Sequence, residues 1–340
     1  MAYISFKPSD YFKTKLYTGT GSSNAITGVG FQPDFTWIKN RDASDNHMLF
    51  DAVRGVTKFI HSNLTTAETT QAESLKTFDS DGFTVGTYGD VNTNTEDFAS
   101  WNWKAGTTSG ISGGTITPSS YSINTTSKIG IYKWSGTGTA GTIAHGLGVT
   151  PTMMIVKDLT STGAWQVYHE AIGATKAIYL NDTAAAGVTS GPWNDTAPTT
   201  TTFALNNSDR TNGSGKDYIA YVFAPVKGYS AIGSYTGNAS ATDGPFIYTG
   251  FRPAFILAKA STFAAAWTLY DHTILGYNAD NKQFDVNSAG TPGNYKSDIY
   301  SNGFKPFTAD GQINGSYPYI YIAFADQPIV GSDGTPGVAR

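Results

Sequence analysis

Three stretches decide the fold: Pro33-Asp-Phe-Thr-Trp-Ile-Lys39, Pro151-Thr-Met-Met-Ile-Val-Lys157 and Pro253-Ala-Phe-Ile-Leu-Ala-Lys259. Each places a lysine six residues after a proline, with a strand-like apolar run between them. Working outward from the prolines, other positions keep step. Seventeen residues on come Phe50-Asp51, Tyr168-His169 and Tyr270-Asp271, and then a Lys-x-x-x-x-Asn frame at Lys58 to Asn63, Lys176 to Asn181 and Lys282 to Asn287. A Phe follows 50 to 52 residues after each proline (Phe83, Phe203, Phe304), and an aromatic strand closes at 70 to 72 (Trp103, Phe223, Phe324). Upstream, Tyr17-Thr-Gly19, Trp134-Ser-Gly136 and Tyr235-Thr-Gly237 complete the pattern. Markers that agree in order and spacing three times indicate a triplicated unit of roughly 90 to 100 residues, the size of one β-sandwich.

The composition agrees. The 340 residues include 38 Gly, 20 Tyr, 19 Phe and 7 Trp, so aromatics nearly match the 22 basic and 26 acidic residues. Gly, Thr, Ser and Asn supply turns while aromatic residues favour strands, and long amphipathic helix patterns are absent. The expected fold is all-β: three tandem, jelly-roll-like β-sandwich repeats with short loops and few helices. The boundaries read as an N-terminal docking arm at 1–13, repeat 1 at 14–106, a Gly/Ser/Thr-rich linker or extended crossing strand at 107–128, repeat 2 at 129–227, repeat 3 at 228–327 and a tail at 328–340. Gly82 and Gly303, in Asp-Gly and Asn-Gly pairs, are expected to supply positive φ in hairpin turns. Trp101 and Trp103, and their counterparts in the later closing strands, are expected in the core.

Several function classes drop out. A formal net charge of −4 with no basic cluster leaves no footprint for nucleic acid. No run approaches 18 apolar residues, so membrane insertion is not expected. With no cysteine, disulfides, thiolate metal sites and cysteine nucleophiles are excluded together. The N-terminus has no charged start followed by an apolar stretch, which fits synthesis and assembly in a host cytoplasm. The five histidines form no His-x-x-x-His frame, there is no Gly-x-Ser-x-Gly elbow, and the glycine clusters lack the Lys-Ser/Thr ending of a phosphate loop. His169-Glu170 and Asp271-His272 could tempt as acid/base pairs, but they align with Asp51 at one repeated position with different side chains, as a structural position would. No catalytic residue and no cofactor is assigned, and the chain is not expected to be an enzyme.

Two weaker site readings remain. Asp79, Asp81, Asp90, Asn92 and Asn94 offer oxygen ligands to calcium, although no complete loop with a closing bidentate Glu is present and self-bonded Asx turns explain them as well. Trp193, with Asn194 and Asp195, lies in an insertion outside the repeat markers, where an indole could stack on a sugar while its neighbours hold the hydroxyls.

The first unit carries a resemblance. Gly28-Val-Gly-Phe-Gln-Pro-Asp-Phe-Thr-Trp-Ile-Lys-Asn-Arg41, Asn46-His-Met-Leu-Phe-Asp-Ala-Val-Arg-Gly55, Ser80-Asp-Gly-Phe-Thr-Val-Gly86, Trp101-Asn-Trp-Lys-Ala-Gly106 and the leader Phe6-Lys-Pro-Ser-Asp-Tyr-Phe12 resemble a domain of tailed-phage structural proteins, especially from marine and cyanobacterial viruses. The resemblance covers residues 1 to 106, and only the skeleton markers continue beyond. It implies a virion protein of tail-fibre type, used in assembly or host attachment, with no catalytic residue to carry over. Expected partners are further copies of the chain, with a trimer as the candidate symmetry, other virion proteins through Met1 to Lys15, and host surface glycan as a candidate ligand. A capsid decoration or head fibre and a lectin-like receptor module stand as alternatives. A depolymerase calls for the short repeat of a β-helix, which a 100-residue period does not offer.

Overall fold

The computed structural model describes residues 6–188, 191–274, 278, 282–294 and 297–327. The chain is nearly all β, built from antiparallel sheets with no closed barrel. Among the described residues, nine strands lie in each third of the sequence. The first unit contains β1 (Phe12–Thr18), β2 (Asn24–Thr27), β3 (Phe35–Asn40), β4 (Met48–Asp51), β5 (Lys58–His61), β6 (Thr69–Thr70), β7 (Leu75–Asp79), β8 (Gly82–Val85) and β9 (Asp97–Trp103). A large sheet, ordered β1-β9-β3-β4-β5-β6, faces a small one, ordered β2-β8-β7. The third unit repeats this with β19 (Ser230–Thr236), β20 (Ile247–Tyr248), β21 (Phe255–Ala260), β22 (Thr268–Asp271), β23 (Lys282–Asp285), β24 (Gly293–Asn294), β25 (Ser297–Tyr300), β26 (Gly303–Pro306) and β27 (Pro318–Phe324), ordered β19-β27-β21-β22-β23-β24 over β20-β26-β25.

The second unit differs at its edges. Its strands are β10 (Ser120–Asn124), β11 (Ile129–Ser135), β12 (Gly141–Ala144), β13 (Met153–Asp158), β14 (Gln166–His169), β15 (Lys176–Ala177), β16 (Gly187–Val188), β17 (Thr202–Leu205) and β18 (Asp217–Phe223). The main sheet runs β10-β11-β18-β13-β14, and β12 pairs with β17 opposite it. Strand β10 comes from the Gly/Ser/Thr-rich stretch 107–128, so the crossing-strand reading of that segment is the observed one.

The sandwich alternation is visible in every central strand, but both faces are buried. In β3, Ile38 turns into the first unit's own core while Phe35 and Trp37 turn the other way. In β13, Met154 and Val156 face inward and Met153 and Ile155 outward; in β21 the same division separates Ile256 and Ala258 from Phe255 and Leu257. The outward residues of all three units meet in one shared core. Phe35 stacks on Tyr221 at 4.3 Å between ring centres, Phe12 on Phe324 at 5.4 Å, and Phe223 meets Phe324 edge-on at 5.8 Å, which joins first to second, first to third and second to third. At the meeting point lies a void of about 20 Å³ lined by Trp37, Phe35, Ile155, Tyr221, Leu257 and Phe324 among others. It has the room of one water but an apolar lining, so it stays dry. The three sandwiches therefore close around one another rather than follow in a row.

The N-terminal boundary shifts accordingly. Residues Phe12 and Lys13, expected in a docking arm, already belong to β1, paired with Trp103 and Asn102. Phe6 packs edge-on against Tyr11 and against Tyr229 of the third unit, so the stretch from Phe6 to Lys15 is engaged with its own chain because its rings find apolar cover there. Met1–Ser5 and the tail at 328–340 lie outside the described residues. The glycine reading also changes. Gly82 has φ +146°, but it is the first residue of β8 rather than a turn residue, and Gly303 holds the same place in β26. A Cβ would fall 1.9 Å from the Ile26 carbonyl oxygen at Gly82 and 2.1 Å from that of Ile247 at Gly303. Close approach of the neighbouring strand is what both sites require.

A fully buried large apolar side chain contributes roughly 1.5–3 kcal/mol, so a unit stripped of its neighbours forfeits the burial of Phe12, Trp37, Trp101 and Trp103 at once. Residues 6–106 produced alone are expected to bind a hydrophobic dye, self-associate and lack a cooperative melting transition. A monodisperse, cooperatively folded fragment would contradict the shared core.

Candidate functional site

Polar chemistry in this molecule concentrates at the junctions between units, and it recurs there three times. The first set comes from the residue 14 positions after each proline. Trp165 donates its indole N–H to the His61 carbonyl of the first unit at 2.9 Å, and Trp267 donates to the Tyr179 carbonyl of the second unit at 2.8 Å. In the first unit this position is His47, whose Nδ1 accepts from Trp37 Nε1 at 2.9 Å. The proton therefore sits on Nε2, which has no hydrogen-bond partner, and the ring meets Phe284 of the third unit edge-on at 6.1 Å. Each unit thus reaches back to its predecessor, and the first reaches back to the third.

The second set comes from the lysines of the repeated strand. Lys157 Nζ donates to the Asp158 carbonyl at 2.7 Å and to Thr65 of the first unit at 3.3 Å. Lys259 Nζ donates to the Ala265 carbonyl at 2.6 Å and to Thr183 of the second unit at 2.9 Å. Lys39 bonds the Asn40 and Ala43 carbonyls and lies 5.8 Å over the Phe284 ring of the third unit. All three side chains are buried, and desolvation pulls each pKa down to about 8. Backbone bonds run alongside: Gly163 N–H to the Thr65 carbonyl at 2.8 Å and Ala265 N–H to the Thr183 carbonyl at 2.9 Å.

The third set joins the position 18 residues after each proline to the closing strand of the next unit. Tyr221 donates to Asp51 at 2.7 Å, and Trp101 donates to Asp271 at 2.9 Å, where Thr14 also donates at 2.5 Å. His169 completes the circle: its Nδ1 accepts from the Ala171 N–H at 3.1 Å, so Nε2 carries the proton towards the Tyr321 carbonyl at 3.4 Å. Asp51 is also paired with Arg54 at 2.5 Å with neither side chain exposed. Burial opposes the charge on Arg54, but Asp51, Tyr221 and Glu68 together hold it protonated. Burial pushes His169 down to about 4 and His47 well below the usual histidine range. These groups are committed to neighbours on every side and face no open cleft, so their chemistry is positional. Lys13, paired with Asp326 at 3.2 Å, adds to the junction of first and third units.

The residues singled out for calcium are dispersed among local partners. Asp79 accepts from Thr84 at 2.7 Å. Asp81 accepts from the Gly28 and Gly30 N–H groups at 2.9 and 2.6 Å, bonds that hold its carboxyl below the usual range. Asp90, raised by burial and by Asp45, receives Tyr88 at 3.3 Å. Asn92 is buried and ties Thr20, Asn24, Ser22 and Gly86 together, while Asn94 is exposed. Among the described residues, no group of three or more His, Asp or Glu side chains could hold a metal ion. Trp193 is 1% exposed and packs edge-on against Tyr168 inside the second unit, so its ring offers no free face for a sugar; Asn194 and Asp195 are exposed beside it with φ near +50°. The insertion folds inward because the second sandwich has a smaller opposing sheet and the indole fills the gap. An open cleft of about 230 Å³ is lined by Gly110–Ser112, by Ala144, Gly146 and Gly148 and by Thr200–Thr201, none of them titratable.

The repeated lysines and the position of Asp51, His169 and Asp271 marked two of these sets in the sequence. What sequence reasoning missed was their direction across unit boundaries, for which the signal was the unbroken apolar run of the closing strands, Tyr218-Ile-Ala-Tyr-Val-Phe223 and Tyr319-Ile-Tyr-Ile-Ala-Phe324. Runs of that kind are buried on both faces.

Two outcomes follow for the junctions. Asp51→Ala leaves Arg54 buried without its partner and is expected to cost about 3–5 kcal/mol in urea unfolding, whereas Asp79→Ala in the same unit should cost under about 1 kcal/mol. Because His169 titrates lower in the folded chain than in the unfolded one, the unfolded state binds more protons between about pH 6.5 and 4. Stability should therefore fall as pH drops through that window, and His169→Gln should flatten the slope; an unchanged slope would contradict the buried neutral ring.

The chain matches, over residues 7–328, the family described as Domain of unknown function (DUF7483), and it belongs to that family. No curated protein and no solved structure matches it significantly. The match spans all three units.

Proposed function

We propose that this member of the family is a structural component of a bacteriophage virion, a tail fibre, spike or accessory part that serves assembly or host attachment. The observation that carries the reading is the triple set of junction ties. Lys39, Lys157 and Lys259, and Asp51, His169 and Asp271, spend the chain's buried polar groups on locking three sandwiches into one body. A body fixed in this way suits a part that transmits load or presents a surface. The phage-like residues of the first unit supply the biological setting. The chain is expected in purified particles at a fixed copy number, visible by mass spectrometry and by labelling of a tagged subunit in electron micrographs. Its absence from particles, with all of it free in the lysate, would overturn the reading.

Glycan recognition is a second reading, moved from Trp193 to the third unit. Tyr248 is 64% exposed and Phe246 47% exposed, with Tyr300 edge-on to Phe246 at 5.8 Å. Tyr248→Ala should abolish binding on a glycan array if a sugar stacks there, and unchanged adsorption would remove the reading.

A further inference from the structure

The three units have one equivalent outer edge each, and the chain treats the three differently. These edges are β1, β11 and β19, which pair on their inner side with the closing strands β9, β18 and β27. In β11 the outward rungs Ile129, Ile131 and Lys133 are covered by Asn124, Ser122 and Ser120 of β10. This strand is a staple. Its Ile123 and partly buried Tyr121 pack into the second unit, while Ser122 donates to Asp34 at 2.9 Å, Ser120 to the Val53 carbonyl at 3.4 Å and Asn124 to the Ala105 carbonyl at 3.0 Å, all in or beside the first unit.

In the third unit the connection from β18 is too short to supply such a strand. Val226 exchanges backbone bonds with Ser230 at 3.1 and 2.9 Å, and among the described residues the backbone pairing of this edge stops there. The inner pairing of β19 uses Tyr229 and Gly237 at its ends, since the Ala325 N–H reaches the Tyr229 carbonyl and the Gly237 N–H reaches the Tyr317 carbonyl. By the antiparallel alternation, Ile232, Ser234 and Thr236 turn their N–H and C=O groups away from β27. None of these groups has a backbone partner among the described residues. Ser234 and Thr236 are exposed and Ile232 is half-buried.

Unpaired edges invite another strand, and proteins blunt them with charge, proline or cover. Strand β1, Phe-Lys-Thr-Lys-Leu-Tyr-Thr, carries Lys13 and Lys15. Strand β11 is covered. Strand β19, Ser-Ala-Ile-Gly-Ser-Tyr-Thr, has neither charge nor proline. A second observation points the same way. Thr152 occupies the position of Asp34, the group that β10 bonds through Ser122, and its hydroxyl is buried with no hydrogen-bond partner.

We propose that the edge of β19 at Ile232 and Ser234 is a strand-addition site that takes an extended, uncharged segment of a partner protein, antiparallel to β19 and alternating Ser/Thr with apolar residues as β10 does. The incoming strand adds main-chain bonds to Ile232 and Ser234, its apolar residues continue the third sandwich, and the hydroxyl opposite Ile232 meets Thr152 Oγ1. The second unit carries in its own chain what the third receives from outside. The proposal does not depend on the particle assignment above.

The test uses the full chain and a synthetic peptide with the sequence of residues 119–125, Ser-Ser-Tyr-Ser-Ile-Asn-Thr, read by amide hydrogen exchange with residue resolution. At millimolar peptide, exchange at Ile232 and Ser234 should slow by roughly tenfold or more, while Thr14 and Leu16 on the lysine-bearing edge should not change. Ser234→Pro removes only an outward N–H and should abolish the protection with the fold retained; Ser234→Ala should preserve it. Thr152→Val should weaken binding several-fold. Unchanged exchange at Ile232 and Ser234, or equal protection in Ser234→Pro, overturns the proposal. Protection already present in the free monomer overturns it too, because the edge is then covered by the chain itself. Protection that rises with protein concentration together with dimer mass assigns the edge to a second copy and likewise overturns the partner-strand assignment.

Discussion

Everything in this fold depends on the large sheet of each unit being apolar on both faces. A sandwich needs only one buried face per sheet, and the other is ordinarily left to water. Here the second face carries Phe35 and Trp37, Met153 and Ile155, or Phe255 and Leu257, and the only apolar partners within reach are the corresponding faces of the other two units. Closure is the consequence. The shared core supplies the free energy, since each large ring buried contributes roughly 1.5–3 kcal/mol against roughly 0.5–1.5 for a hydrogen bond. The junction bonds supply register: with the rings alone, the units could slide.

That division of labour explains why buried charges are tolerated. Asp51 with Arg54, and Lys157 and Lys259 at carbonyls of two different units, are costly to desolvate and hardly better than an apolar replacement for stability. What they add is discrimination, because each finds its partners in only one arrangement of the three units. The His47 position shows how far the pattern tolerates substitution. An imidazole stands where the other units have an indole, and a second indole, Trp37, donates to its Nδ1.

Much of this was legible. The prolines, lysines, offset aromatics and closing strands gave the triplication, and the reading of Asp51, His169 and Asp271 as one structural position matches the ties they make. The direction of the outward faces was less accessible, because alternation along a strand separates two faces without saying what covers each. Trp193 illustrates the same limit: an insertion outside the repeat frame reads as surface, yet the indole fills the second unit's core. The acidic loops of the first unit read as ligand sets for the opposite reason, since sequence cannot show that Gly28, Gly30 and Thr84 already occupy their oxygens.

The central claim is that one chain closes three sandwiches around a common core, and small-angle X-ray scattering from a dilute solution tests it most directly. A closed body of this length has a radius of gyration of about 20 Å, and that value is predicted at the mass of a single chain. A value near about 30 Å at the same mass, as expected for three compact units strung in line, would contradict it.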